Sequence, residues 1–225
     1  MFKKTSALVL LFIVVLCTGK PTTTPPLAPV REMASDIADR LKKLPDTVID
    51  YDHSLLNDQE KRMIAKLIEA SRFIEEIYWR QVSEENPHLR SELLRMARNS
   101  IPHQLGLKYF NRNKGRWDRL VHNEPFIGPF GDAGKKPEGA GFYPPDMTKE
   151  EFEQWIVAHP KDKERFQSET TVIRREGDRL IAIPYSTYYR EFLEAAAQKL
   201  REVAFLTDIP NETRGGVSFE RLLRK

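Results

Sequence analysis

The sequence predicts an α+β fold: a helix-rich lobe with a long irregular layer rich in aromatic residues and glycine, and one small β-hairpin. Apolar residues recur at three- and four-residue steps over residues 57–78, which is the period of an amphipathic helix. Residues 101–147 hold seven of the eleven glycines and six of the fifteen prolines, without a clear period. Two short β-type runs flank Glu176-Gly177-Asp178, which is typical of a hairpin.

The first half of the chain is predicted to be helical. Apolar spacing predicts a helix over residues 30–44, which Pro45 ends. Asn57 and Glu60 have the spacing of a capping box, so a long helix of about six turns is predicted to begin there. A shorter helix follows Pro87. One apolar stripe is predicted along the long helix, formed by Met63, Ile64, Leu67, Ile68, Phe73, Ile74, Ile77 and Tyr78.

Residues 101–147 are predicted to form an ordered but irregular layer over these helices. The segment contains seven aromatic residues, whereas disordered segments are poor in aromatics. A long stretch without periodicity is uncommon in a compact domain unless it is functional or disordered. An ordered layer is therefore the prediction.

The C-terminal part is predicted to hold a helix, the hairpin and a second helix. Thr148 and Glu151 repeat the capping-box spacing, and Pro160 interrupts the helix that follows. Residues 171–175 and 179–183 form the hairpin strands. Ser186 or Thr187 is predicted to cap the last long helix, which carries Phe192, Ala196 and Leu200 on its apolar side.

Residues 1–19 are predicted to be a secretory signal peptide. Lys3 and Lys4 precede an apolar run over residues 7–17, and Thr18-Gly19 supplies small residues for cleavage. Eleven apolar residues are too few for a membrane-spanning helix, which needs roughly 20. The mature chain is expected to be exported to the periplasm or secreted. In the alternative, a lipoprotein, Cys17 carries the lipid anchor. Residues 20–29 form a Pro/Thr linker.

The charge balance argues against a nucleic-acid partner. Lys and Arg total 36 against 33 Asp and Glu, a formal charge of +3. Two of these three surplus charges are Lys3 and Lys4 in the predicted leader, so the mature chain is close to neutral. Neutralising a phosphate backbone requires a basic surface, which this balance does not favour.

No catalytic or metal-binding residue can be assigned from motifs. None of the five histidines is followed by Glu, so HExxH is absent, as are the GxSxG elbow, the P-loop and GxGxxG. His122-Asn123-Glu124 matches the start of a zinc deaminase signature, but the cysteine pair of that signature is missing.

Three aromatic residues are candidates for a substrate groove. Trp117, Phe142 and Tyr143 could line a cleft for a peptide or sugar ligand. The competing interpretation is that these side chains fill the core beneath the long loop. Both interpretations stay open at the level of sequence.

Several segments together resemble bacterial members of the dipeptidyl-peptidase III family of zinc metallopeptidases. The resemblance covers roughly residues 41–207 in order, and no single piece of it is a catalytic motif. It rests on Leu55-Leu56-Asn57, Ile77-Tyr78-Trp79-Arg80-Gln81, Gly141-Phe142-Tyr143-Pro144, Asp146-Met147-Thr148-Lys149-Glu150-Glu151-Phe152, Thr171-Val172-Ile173-Arg174-Arg175 and Ile183-Pro184-Tyr185-Ser186.

The resemblance implies a two-lobed enzyme that removes dipeptides from the N-termini of oligopeptides. In that family a HExxGH helix and a more distant Glu hold zinc, and the Glu of the motif activates water. This chain lacks HExxGH, so it carries no cofactor by this prediction, although zinc is the cofactor of the family. The chain is expected to match the N-terminal region and to stop before the zinc motif.

Two kinds of function follow from these observations. In the first, residues 30–207 are the N-terminal lobe of an exported dipeptidyl-peptidase-like protein that is inactive alone, and residues 208–225 are a divergent tail. In the second, the chain is a non-enzymatic periplasmic binding or interaction domain, with a peptide as the expected ligand. Without a partner lobe, Phe192, Ala196 and Leu200 are expected to be exposed and to favour self-association.

Overall fold

A computed structural model describes residues 32–206 of the chain. The predicted signal peptide and linker, Cys17, and the predicted divergent tail from residue 208 lie outside these described residues. Eight α-helices are described, numbered in chain order: α1 Ile37–Lys42, α2 Asp58–Val82, α3 Asn86–Met96, α4 Ile101–Asn113, α5 Lys149–Ala158, α6 Lys163–Phe166, α7 Tyr185–Tyr188 and α8 Arg190–Ala204. No helix of this part of the chain is long and apolar enough to cross a bilayer.

Four short strands form two separate antiparallel pairs within the described residues. They are β1 Trp117–Asp118, β2 Glu124–Pro125, β3 Thr171–Glu176 and β4 Arg179–Pro184. The β3–β4 hairpin pairs Val172 with Ile183 and Glu176 with Arg179. Its turn places Gly177 at φ 61°, a left-handed conformation that glycine adopts without a Cβ clash. The α+β class and the predicted hairpin are confirmed.

The long helix α2 begins with the predicted capping box. The Asn57 side chain accepts hydrogen bonds from the N–H groups of Gln59 and Glu60, both at 2.9 Å. The Glu60 carboxylate accepts the Asn57 N–H at 2.8 Å. At α5 the Thr148 hydroxyl accepts the Glu151 N–H at 3.2 Å, while the Glu151 carboxylate takes two hydrogen bonds from Arg175.

The first predicted helix is shorter than its apolar spacing suggests. Residues 32–36 are not helical, because the backbone there pairs with a distant segment. Met33 bridges Ile127, and the Ala34 N–H donates to the Phe126 carbonyl at 2.9 Å. The prediction of a helix over residues 30–44 was therefore wrong for residues 32–36, and residues 30 and 31 lie outside the described range.

Residues 101–113 form the regular helix α4 rather than part of an irregular layer. Pro102 lies in the first turn, where its missing N–H costs no helical hydrogen bond, and so does not exclude a helix. Gly106 faces Met33 so closely that a Cβ would clash with the Met33 side chain. The irregular layer begins at Lys114, which ends α4 in the left-handed conformation with φ 57°.

The predicted last helix is broken at Tyr189 into α7 and α8. Neither Ser186 nor Thr187 forms a side-chain cap at the start of these helices. The apolar side of α8 is not exposed as predicted: Ala196 is buried, and Phe192 and Leu200 are half-buried. Ion pairs join α8 to α2, Lys66 to Glu202 at 2.9 Å and Lys199 to Glu69 at 3.1 Å.

Three apolar clusters form the core of the described residues. The first joins α1, α3 and α4 around Trp79, which stacks on Phe110 with ring centroids 5.2 Å apart. The second lies between the hairpin, α5 and α6, with Phe166 and Ile173 at its centre. The third places Ile77 of α2 against Val172 and Tyr189.

Candidate functional site

An open cleft of about 910 Å³ lies beside the β1–β2 pair. Its wall is mixed in character: one aromatic ring, two lysines and three carboxylates face the same space. The side chains that matter for its chemistry are His122, Glu124, Phe130, Asp132, Lys135, Lys136 and Glu138.

A tight turn between β1 and β2 shapes one side of this cleft. His122 and Asn123 are both left-handed, with φ 48° and 59°. The Asn123 N–H donates to the Asp118 carbonyl at 2.9 Å, and the Glu124 N–H donates to the Val121 carbonyl at 2.8 Å. Asn tolerates this conformation better than most residues, so the turn is encoded locally.

The other side is a loop held down by Trp117. Trp117 is only 6% exposed, and its indole N–H donates to the Gly134 carbonyl at 2.8 Å. A Cβ at Gly134 would collide with the Pro129 carbonyl, so this close approach requires glycine. The buried Arg116 donates to that same Pro129 carbonyl. Trp117 thus lies beneath the loop that borders the cleft.

One ion pair in the cleft suits binding rather than proton transfer at neutral pH. Asp132 pairs with Lys135 at 2.7 Å. That hydrogen-bonded pair lowers the pKa of the Asp132 carboxyl and raises the pKa of Lys135. Both groups therefore stay ionised near pH 7 and offer fixed charges to a ligand.

The other two predicted groove residues lie in different surroundings. Tyr143 lines a neighbouring cavity of about 200 Å³ and meets Phe152 edge-on at 5.6 Å. Glu138 borders both this cavity and the larger cleft. Phe142 packs in the third core cluster and stacks on Tyr185 at 6.4 Å.

Sequence reasoning did not assign the residues of the open cleft to a ligand site, and it met His122 only in an incomplete match to a zinc deaminase signature. Lys135, Lys136 and Glu138 belong to no motif, and only the density of glycine and proline around them indicates an unusual backbone. Their proximity arises from the left-handed turn and the loop over Trp117, which local patterns do not predict.

A zinc site cannot be built from the described residues. Across residues 32–206, no three side chains of His, Cys, Asp or Glu lie close enough together to hold a metal ion. The zinc implied by the family resemblance therefore does not fit this part of the chain, and no catalytic step can be derived through it.

Comparison with known proteins gives two similar solved structures. The structure of dipeptidyl-peptidase III from Caldithrix abyssi matches 79% of this chain with a TM-score of 0.69 and 43% sequence identity. That from Corallococcus sp. strain EGB matches the same share with a TM-score of 0.69 and 30% identity. No protein-family model matches the sequence.

A plant protein is a more distant relative. Nudix hydrolase 3 from Arabidopsis thaliana is 26% identical over 202 residues, which covers 69% of this chain and 26% of the plant protein.

The matches extend over only part of each similar protein. The chain spans about a third of each bacterial structure, 32% in both. Both the sequence and the fold of most of this chain match these structures, which confirms the resemblance found in the sequence. The chain is similar to part of a bacterial dipeptidyl-peptidase III.

Proposed function

We propose that this chain is the N-terminal part of an exported, zinc-dependent dipeptidyl-peptidase III-like peptidase, and that it releases no dipeptides by itself. The observation that carries the proposal is the 43% identity to the Caldithrix abyssi structure over 79% of the chain, together with the 32% of that structure covered. The chain accordingly contributes scaffold and a cleft wall, while the zinc-binding part of the fold supplies the chemistry.

The chemistry of such a peptidase explains why this part would be inactive alone. Hydrolysis of a peptide bond by zinc needs a Lewis acid to polarise the carbonyl and a general base to activate water. The sequence has no HExxGH to supply them. The carboxylates of the cleft, such as Glu138, could still contact a peptide, since an ionised carboxylate pairs with an N-terminal ammonium group.

The direct test is an activity assay on the purified chain. A fluorogenic dipeptide amide is incubated with the chain, with added zinc and with a chelator, and the Caldithrix abyssi enzyme is assayed in parallel. We expect no zinc-dependent release from this chain. Release that the chelator abolishes would contradict the proposal.

The open cleft favours a second function, a non-enzymatic periplasmic binding domain with a peptide as ligand. Fixed charges of both signs beside Phe130 suit a short zwitterionic peptide. The test is calorimetric titration with tetra-alanine of the wild type and of the variants Glu138→Gln and Lys136→Met. Binding that these variants weaken supports this function, and absence of heat with the wild type rejects it for this peptide class.

Trp117→Ala separates the two interpretations of the aromatic residues. Loss of tetra-alanine binding with an unchanged melting temperature would assign Trp117 to a ligand groove. A large fall in melting temperature would assign it to the core, since truncating a buried Trp typically costs about 3–5 kcal/mol.

A further inference from the structure

The helix α2 has a second apolar side that no described element covers. Five of the fifteen large apolar residues exposed on the described surface lie on this one helix. They are between 36% and 50% exposed. We name this surface the α2 stripe; it consists of Ile64, Leu67, Ile68, Ile74 and Tyr78.

The stripe is distinct from the side of α2 that contacts α8. The ion pairs Lys66–Glu202 and Glu69–Lys199 fix which side faces α8. At 100° per residue, Ile64, Ile68 and Tyr78 point away from that side. The single apolar stripe predicted from the sequence therefore consists of two separate faces of α2. Ile77 lies on the face that is covered by other residues of the core.

A helix with apolar residues on two sides is typical of one packed between two partners. The stripe runs from Ile64 to Tyr78, which is fourteen steps along the helix or about 21 Å at 1.5 Å per residue. Its exposed apolar surface is on the order of 400 Å², the size at which a patch on a monomer commonly marks an interaction site.

Charge at the margin of the stripe indicates the chemistry of the partner. Arg72, one turn beyond Ile68, is exposed and forms no ion pair or hydrogen bond with any residue in the 32–206 range. At the end of the stripe Arg119 donates to the Tyr78 hydroxyl at 2.6 Å and adds a second cation. An apolar segment with an acidic side chain opposite Arg72 would complement this surface.

The comparisons supply a candidate for the polypeptide that covers the α2 stripe. The similar bacterial structures contain about twice as much chain again beyond the part that this protein matches. That further chain has to pack on some surface of this unit, and the α2 stripe is an apolar surface that no residue in the range 32–206 covers. We propose that the α2 stripe is the surface on which the remaining two thirds of a dipeptidyl-peptidase III-like polypeptide docks; this inference rests on the proposed function.

The test compares one substitution in two contexts. Residues of the Caldithrix abyssi enzyme that match this chain are replaced by those of this chain, giving a full-length chimera. Ile68→Glu is then introduced into the chimera and into the full 225-residue chain. Leu94→Glu is the matched control, because Leu94 of α3 is 48% exposed and Ile68 is 50% exposed.

We expect Ile68→Glu to lower the melting temperature of the chimera by about 5 °C or more, because a carboxylate would be buried in an apolar interface. In the chain alone the shift should stay below about 1 °C, and Leu94→Glu should move neither protein. Equal small shifts in both contexts would overturn the proposal. A large shift in the chain alone would also overturn it, since the stripe would then be covered by this chain's own residues or by a second copy.

Failure of the inference differs from failure of the proposed function. A chimera that releases dipeptides but tolerates Ile68→Glu would reject the docking role of the α2 stripe and leave the proposed function standing. A folded chimera without activity would count against the proposed function. If the chimera does not fold, the remaining two thirds of the Caldithrix abyssi enzyme is co-expressed with the tagged full chain. Capture by the wild type, reduced at least tenfold by Ile68→Glu, supports docking; no capture by the wild type overturns it.

Discussion

Asp118 is the charged residue with the least exposed surface in the described part of the chain, at 0%. Its carboxylate forms an ion pair with Arg40 at 2.8 Å and accepts the Leu120 N–H at 2.9 Å. The Tyr109 hydroxyl also interacts with this carboxylate. A buried carboxylate is tolerated because these donors replace the water it loses. This network joins α1 and α4 to the strand that borders the cleft.

Arg40→Leu should destabilise the fold by about 3–5 kcal/mol, because it leaves the Asp118 carboxylate buried without its counter-charge. Urea denaturation measures the free energy of unfolding. Lys42→Leu on the same helix is the control: it breaks an exposed ion pair with Asp39 and should leave the midpoint nearly unchanged. Equal effects of the two substitutions would contradict a special role for Arg40.

Tyr109 should make the fold sensitive to alkaline pH. Burial, and then the hydrogen bond to Asp118, raises the pKa of Tyr109 from 10.0 to about 12. Between these values the unfolded chain loses the phenol proton while the folded chain keeps it, so stability falls as pH rises, by up to about 1.4 kcal/mol per pH unit. Tyr109→Phe should lack this contribution, measured as a shallower fall of the urea midpoint from pH 10 to 12. Identical slopes would contradict the prediction.

At the scale of elements, α2 organises the described residues. It contributes Trp79 to the first core cluster and Ile77 to the third, and its ion pairs hold α8. The start of α2 is set by Asn57 and Glu60, which satisfy N–H groups that a helix otherwise leaves unpaired. The position at which this helix begins is thus encoded by four residues.

Asn57→Ala should cost about 1 kcal/mol of stability by removing the acceptor for two N–H groups. Asn57→Asp keeps an acceptor at the same place and should cost much less, so it is the matched control. Thermal unfolding followed by far-UV circular dichroism measures both. If Asn57→Asp cost as much stability as Asn57→Ala, loss of the side-chain cap would not explain the destabilisation.

At the scale of the whole molecule, the testable prediction is export through a leader over residues 1–19. Expressed with residues 1–19 in a Gram-negative host, the protein should be recovered from the periplasm or medium with Lys20 as its first residue, as read by N-terminal sequencing. The lipoprotein alternative instead requires a membrane-bound product that begins at an acylated Cys17, and Cys17→Ser would abolish it. A cytosolic product that retains Met1 would contradict export.

The sequence by itself determined the features that depend on short-range signals. The capping box of α2, the helices after Pro87 and Thr148, and the hairpin around Gly177 all follow from neighbouring residues, because caps, helical periods and turns are local interactions. The resemblance to dipeptidyl-peptidase III also came from ordered local segments, and the structural comparisons confirm it.

Only the tertiary structure decided which apolar surfaces meet. Met33 fits a helical period but pairs with Ile127. Gly106 has a low intrinsic helix propensity, yet it lies within α4 and allows Met33 to approach that helix. Periodicity shows that a helix has an apolar face and leaves open which partner covers it. The apolar side of α8, expected to be exposed, is therefore found packed toward α2. The α2 stripe, in contrast, is covered by none of the described residues.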